Sequence, residues 1–473
     1  MEASVTHVAR LASRVREFVV GPSEREDTAM NTPEHSRSSD RGTLAGRCAW
    51  MSKNALLMVL AGSLVAPPSQ AASPHSTDHT AIRELRNGIE AMIAAGELPQ
   101  AEVLIEQRGK PLAQITAGYA DVESRRPVGK DAIYRLYSMS KPITSVAILM
   151  LWEQGKLALT DPVSKYLPTF ANLRVWDGSK RVPATTVPVT RAVTVEDLLL
   201  HRSGLTYEFM GDTPVHRWYR DNAVARATAV NTDPRVGTAG SLDQLVERLA
   251  GAPLLHQPGD GFSYGFSTTV LGAIVERASG ESLDRYLKAH IFEPLDMKDT
   301  TFVVTDEQAK RLVTGYVATA DGLKAIDRGP TSEYRDPQRL RDGGGALVGT
   351  LADYSHFAAM LAGKGRWHGH RLVKAKTVEA MFIPRLRTGG GPRLDAPFGY
   401  GLAIGDTGTQ DKGGIPVGAG SWSGSANTYF FADPVHNAVA VLMTNEITPG
   451  RFETRTWKLR DALDQAAIKL IRK

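Results

Sequence analysis

The residues best equipped to attack a carbonyl lie in one short stretch, "YRLYSMSKPITS" (residues 134–145), where Ser138 and Lys141 stand three positions apart at the entrance to an apolar, helix-periodic run. On a helix that spacing places both side chains on one face within contact distance, while Ser140 points elsewhere. A serine hydroxyl is a poor nucleophile until a neighbouring base takes its proton and nearby donors stabilise the oxyanion. A lysine serves as that base when burial or positive surroundings lower its pKa, and Leu136, Met139 and Ile143 supply apolar neighbours. The unpaired N–H groups of a helix start favour the developing negative charge. On residue types alone, a capping serine beside a solvated lysine explains the same spacing, so downstream partners must decide.

Other stretches nominate other chemistry. "GFSYG" (261–265) matches the G-x-S-x-G pentapeptide and offers Ser263 as a nucleophile. That pentapeptide needs a buried strand before it, whereas "LLHQPGD" supplies a turn at Pro258 and Gly259. His368 and His370 form H-x-H without a third ligand nearby, which reads as a solvated pair and no metal site. Gly343 to Gly345 lack the Lys-Ser/Thr of a phosphate loop and read as glycines allowing close backbone approach. Arg335, Arg339 and Arg341 read as a solvated basic loop, with contact to an acidic substrate group as the second option. His201, at a helix end before Ser203-Gly204, reads as a cap and not as a catalyst. No cofactor is called for.

The elements that must position these groups follow from periodicity. Ile82, Leu85, Ile89, Met92 and Ile93 repeat at helical spacing, and "AEVLIEQRG" and "LAQITAGYA" alternate as antiparallel strands. The helix holding Lys141 runs to about Gly155. From about 156 to 325 the pattern is mostly helical, as in "TVEDLLLHRSG" and "STTVLGAIVERASG". Thr350 and Asp353 form a capping-box pattern ahead of "YSHFAAMLAGKG". Strands return in "TYFFADP" and "AVAVLMTN", and "WKLRDALDQAAIKLI" is a closing helix. The expected architecture is α+β, with an antiparallel sheet assembled from about 78–155 and 326–473 and a helical subdomain inserted between.

The chain of 473 residues is 42% hydrophobic, ample for a large core. Its 56 basic and 51 acidic residues are scattered, giving a net charge of +5 and no basic stripe of the kind that binds nucleic acid. Lys53, the apolar stretch Ala55 to Ala66, and Ser69, Ala71 and Ala72 have the layout of a secretory signal peptide over 51–71, too short to span a membrane stably. Residues 1–50 precede it as a polar leader, which points to translation from Met51 and an exported product that begins after residue 71 and carries a domain of about 78–473. The single cysteine, Cys48, falls in that leader, so the product forms no disulfide.

"YRLYSMSKPITSVAILMLWEQGKLALTDPVSKYLP" resembles the nucleophile region of the serine β-lactamase and penicillin-binding-protein superfamily. "VTVEDLLLHRSGL", "PGDGFSYGFSTTVLGAIVERASG", "GGGALVGTLADYSHFAAML" and "FGYGLAIG" are similar, in order, to class C-type members over roughly residues 80–470. The resemblance implies a β-lactamase/transpeptidase-like fold, Ser138 as the acylated nucleophile, Lys141 as its base or proton shuttle and Tyr264 as a partner in proton transfer. It implies an oxyanion hole from the backbone N–H groups of Ser138 and Ser425, and a third motif at Trp422-Ser423-Gly424 similar to family VIII carboxylesterases. Trp422 then stands where many relatives hold a lysine, and Phe266 where they hold an asparagine, with Ser267 a partial substitute. Those exchanges favour uncharged, apolar acyl esters over carboxylated peptides or lactams. A wall-peptide carboxypeptidase, D-aminopeptidase or β-lactamase, and a sensor acylated once without turnover, stand as alternatives. The expected partner is a small-molecule ester, lactam or peptide; the oligomeric state is left open.

Overall fold

The computed structural model describes residues 74–225, 238–386, 396–448 and 455–471; the leader, the signal-like segment and Cys48 lie outside them. The alternating segments of the two chain ends pair as expected. Strands β1 (Gln100–Gln107), β2 (Lys110–Asp121) and β3 (Arg126–Pro127) join β4 (Ala403–Ile404), β5 (Gly420–Ser423), β6 (Tyr429–Asp433) and β7 (Ala438–Met443) in one antiparallel sheet of order β4-β5-β6-β7-β1-β2-β3. The first strand therefore lies beside the last, with Val103 opposite Leu442 and Leu104 opposite Val441.

Side chains alternate between faces with period two. Val103, Ile105, Ala440 and Leu442 face helices α1 (Pro74–Ala94) and α5 (Arg455–Leu470), meeting Leu85, Ile89, Leu459 and Leu463. Val439, Val441 and Met443 face the opposite core, shared with α2 (Ser140–Glu153), α3 (Ser267–Ser279) and α4 (Leu351–Ala362). Covering on both sides explains why "AVAVLM" is apolar throughout. Thr350 caps α4 by accepting from the Asp353 N–H at 3.0 Å. Between β3 and β4 helices predominate, interrupted by small strand pairs such as Arg174–Trp176/Thr186–Pro188 and Gly315–Thr319/Gly322–Asp327, the latter joined by Glu446–Ile447. No helix of the described residues is long and apolar enough to cross a membrane.

One charged group interrupts the inner face. Glu102 is 1% exposed and accepts from Tyr134 (3.0 Å) and Thr116 (3.2 Å). Burial drives its carboxyl up to about 7, outweighing those hydrogen bonds, which pull it down. Its folded pKa exceeds the ordinary value of 4.5, so the folded chain holds this proton more tightly than the unfolded one. The resulting stabilisation is full below the unfolded pKa and is lost as pH rises through about 7. Glu102→Gln should escape that loss: between pH 5 and 8, urea titrations should show the variant gaining roughly 1–3 kcal/mol relative to the parent.

Candidate active site

The strand Ile133–Arg135 leads into a single 3-10 turn, Tyr137–Met139, and then into α2. Tyr137 takes a left-handed backbone (φ 45°), a strained conformation for a bulky residue, immediately before Ser138. The turn is pinned from three sides. The Leu136 N–H donates to the Leu347 carbonyl (3.0 Å), the Leu347 N–H donates to Ser140 Oγ (3.2 Å), and the Tyr354 hydroxyl donates to the Met139 carbonyl (2.8 Å). Neither serine caps α2, whose N-terminus has no side-chain cap. Ser140 is a fully buried strut, whereas Ser138 keeps partial access to solvent.

Lys141 is 1% exposed, and its Nζ meets Ser138 Oγ at 3.2 Å, Tyr207 Oη at 3.0 Å and the Gly344 carbonyl at 2.6 Å. The carbonyl can only accept, so one N–H is committed to it. Its other N–H groups are shared among the Tyr207, Tyr264 and Ser138 oxygens, so on giving up a proton the amine has a lone pair within reach of Ser138 Oγ, as general-base activation requires. Gly344 is held in turn by its own N–H donating to Asp342 Oδ1 (2.7 Å), and Gly343 by its carbonyl accepting from Thr144 Oγ1 (2.9 Å). The Gly343–Gly345 loop thus approaches α2 closely, as its composition suggested.

Tyr264 lies beside this amine, with Lys141 Nζ 4.8 Å from its ring centroid. Burial pushes the Tyr264 phenol up, but the Lys141 charge and hydrogen bonding with Lys141 and Ser138 outweigh it and hold the phenol below its ordinary range. The Trp422 indole leans on the same ring at 5.5 Å between centroids; its buried Nε1–H favours the phenolate without closing a hydrogen bond of normal geometry. His201 packs against Tyr264 from another side at 5.0 Å and touches Phe262 and Phe398. Burial, reinforced by the Lys141 charge, drops its imidazole to about 3, so it stays neutral. His201 is therefore part of the wall behind Tyr264 as well as a turn residue.

Gly424 explains the third motif. A Cβ there would fall on the Leu136 carbonyl oxygen and Thr428 Oγ1, so only glycine lets the end of β5 come this close to the nucleophile turn. Among the described residues, the backbone N–H groups of Ser138 and Ser425 donate to no protein acceptor. Two spare donors on abutting segments suit an oxyanion. Ser423 is half-buried in β5, paired with Tyr429.

Several expectations need correction. Phe266 is fully buried, packing edge-on to Tyr207 at 4.6 Å, so it supports the pocket wall from behind and does not line it. Ser267 is spent on Ser203 (2.9 Å) and cannot stand in for an asparagine. Ser263 is 6% exposed, donates to the Leu205 carbonyl (3.0 Å) and meets His256 Nε2 (3.1 Å) as a loop clasp, without access to a substrate. The arginines are not a free basic loop: Arg335 pairs with Asp306 (2.6 Å), Arg341 with Asp284 (3.1 Å), and Arg339 donates to the Ala346 carbonyl while lying over the Tyr334 ring. His368 stacks on Trp367 (4.1 Å) and is not simply solvated. The group missed altogether is Tyr207, 66 residues from Lys141 in sequence. Periodicity is silent in its segment, and only the turn after Gly204 brings its hydroxyl to the amine.

Comparison with known proteins agrees with this geometry. The family model described as Beta-lactamase matches residues 85–465. The Mycobacterium tuberculosis protein Rv1367c is 33% identical over 353 residues, covering 72% of this chain and 84% of that protein. Esterase EstB of Burkholderia gladioli is 29% identical over 384 residues, covering 77% and 90%. The solved structure of EstCE1, described as a hydrolase with promiscuous acyltransferase activity, superposes with a TM-score of 0.66 at 25% identity, covering 82% of this chain and 99% of that one. A family VIII carboxylesterase shares the fold, with a TM-score of 0.62 at 18% identity and 82% and 97% coverage. With a matched family model running from α1 into α5 and a serine–lysine pair at its centre, the chain belongs to the beta-lactamase family, as a serine hydrolase with esterases among its relatives.

Proposed function

We propose that the protein is a carboxylesterase that works through an acyl-enzyme on Ser138 and prefers short, apolar acyl groups. The observation that carries this reading is the pairing of an intact Ser138–Lys141–Tyr264 cluster with an aromatic wall, Trp422 against Tyr264 and Phe398, where a carboxylate-binding cation would be needed for peptides or lactams. The three arginines that were candidates to replace that cation are engaged elsewhere. EstB, an esterase by name, points the same way.

In the first half-reaction Ser138 Oγ bonds to the ester carbonyl carbon while its proton passes to Lys141 Nζ. The oxyanion accepts from the Ser138 and Ser425 N–H groups. The carbonyl carbon to alkoxy oxygen bond then breaks, and the departing alkoxide takes a proton from the Lys141–Tyr264 pair. Water repeats the sequence on the acyl-serine, releasing the acid and restoring the hydroxyl. Tyr207 takes no proton in this scheme; it holds Lys141 Nζ in place beside Ser138.

The deciding measurement is kcat/KM for p-nitrophenyl butyrate against nitrocefin on residues 72–473. The ester should be preferred by at least about 100-fold, and Ser138→Ala should lose at least about 1,000-fold on the ester. A ratio near one would assign the chain to lactam or wall-peptide hydrolysis, and a single burst without turnover would assign it to sensing. Tyr207→Phe should lower kcat by roughly 10–100-fold with little change in KM, since it misdirects the base and leaves the pocket intact. The profile of kcat/KM should fall toward acid as the Lys141–Tyr264 pair gains a proton, with an apparent pKa below that of an ordinary phenol. Tyr264→Phe should move that limb, whereas a profile unchanged by the substitution would remove Tyr264 from proton transfer.

A further inference from the structure

A second cavity, of about 430 Å³, contains none of the residues of the Ser138 cluster. It opens where the β1–β2 turn, the β6–β7 turn, α4 and the short hairpin Arg366–Arg371 meet. The Arg108 N–H ties the two turns together by donating to the Asn437 carbonyl at 2.7 Å. The volume is in the range of sites for small organic ligands.

The polar groups in it are unmatched. The side chain of Glu106, half-buried at the end of β1, makes no hydrogen bond or ion pair with the described residues. Burial raises its carboxyl, an effect that His356 and His368 only moderate by favouring its charge. His356 places Nδ1 2.9 Å from the Leu295 carbonyl, which can only accept, so Nδ1 carries the hydrogen, and whenever the ring holds a single proton Nε2 is an acceptor. Carboxylate and imidazole thus both lack a donor. One wall is aromatic: His368 stacks flat on Trp367 (4.1 Å, 5°), and His356 leans on the same indole at 4.7 Å. Arg108 and Arg366 complete the lining, and among the described residues neither pairs with an acid, including Glu106. Arg366 spends one N–H on the Gly369 carbonyl (3.3 Å). Three nearby titratable side chains suggest a metal, but no group of three His, Cys, Asp or Glu among the described residues converges closely enough to hold one.

We propose that this cavity binds a small zwitterion of the amino-acid type, its ammonium on Glu106 and His356, its carboxylate on Arg108 and Arg366, and its apolar part against the Trp367–His368 stack. An unpaired acid and unpaired arginines in one cavity complement such a ligand, and the stacked rings favour a cation and an aromatic side chain alike. A simple anion would meet Glu106, and a simple amine would leave the arginines unanswered.

Calorimetric titration with tryptophan, tryptamine and indole-3-propionate tests this on the full chain. Tryptophan, as the L or D form, should bind with a Kd of a few millimolar or tighter, and each singly charged analogue about ten-fold more weakly or worse. Glu106→Gln should abolish the preference for tryptophan over indole-3-propionate. Arg108→Ala, an exposed substitution that leaves the fold untouched, should abolish the preference over tryptamine. Ser138→Ala should change none of these affinities, which separates this cavity from the catalytic one. Absence of binding at 10 mM (about 2.7 kcal/mol of binding free energy), equal binding of tryptamine, or tryptophan affinity indifferent to Glu106→Gln would each overturn the proposal.

Discussion

The site depends on one amine. Lys141 is buried, and an amine taken from water without partners costs several kcal/mol. Its Nζ meets an oxygen from the adjacent turn, Ser138, and oxygens from two distant segments, Tyr207 and Gly344. Each of those oxygens arrives through a different element: the 3-10 turn before α2, the loop after Gly204, and the glycine loop after the arginine cluster. Losing any one both costs stability and loosens the placement of the amine beside Ser138. The same hydrogen bonds that make the burial tolerable therefore set up the chemistry, and packing and reactivity cannot be varied independently here.

Around this amine the chain brings together pieces that are far apart in sequence through close backbone approaches. Gly424 brings the end of β5 against Leu136, and Gly265 lies against the backbone of Thr206, where a Cβ would overlap it, bringing the Tyr264 segment to the Tyr207 segment. The sheet supplies the rigid frame: β5 is held through β6 to β7 and β1, strands buried on both faces. A nucleophile turn pinned to Leu347, Ser140 and Tyr354 then faces two spare N–H donors that need not reorganise during reaction.

The sheet was legible because its strands repeat with period two and its helices with 3.6, and burial on alternate faces enforces those periods. The Ser138–Lys141 pair was legible because it is local, three residues on one helical face. Tyr207 was not, since a contact across 66 residues leaves no mark on spacing. Phe266 was misplaced for a related reason: its position beside Tyr264 in sequence was right, but direction decides whether a side chain faces the cleft, and Phe266 turns inward onto Tyr207 and Tyr219. The arginine cluster misled in the opposite sense. Three like charges within seven residues look solvated until the acids of other segments, Asp306 and Asp284, are brought to them by the fold.

The inward turn of Phe266 also moves the burden of specificity. If both polar losses acted on the substrate directly, the pocket would be apolar on two sides; with Phe266 behind Tyr207, the aromatic surface near the reacting serine comes from Trp422, backed by Phe398 and Tyr264. Trp422 has two roles there that pull in different directions. Its ring fills space that a carboxylate anchor would need, while its buried Nε1–H lacks an acceptor of normal geometry and favours the anionic form of Tyr264. A buried donor left without an acceptor is costly, and in the proposed esterase this one side chain bears on both the choice of substrate and the protonation of Tyr264. In the proposed esterase, discrimination against charged acyl groups and activation of Tyr264 then reside in one side chain.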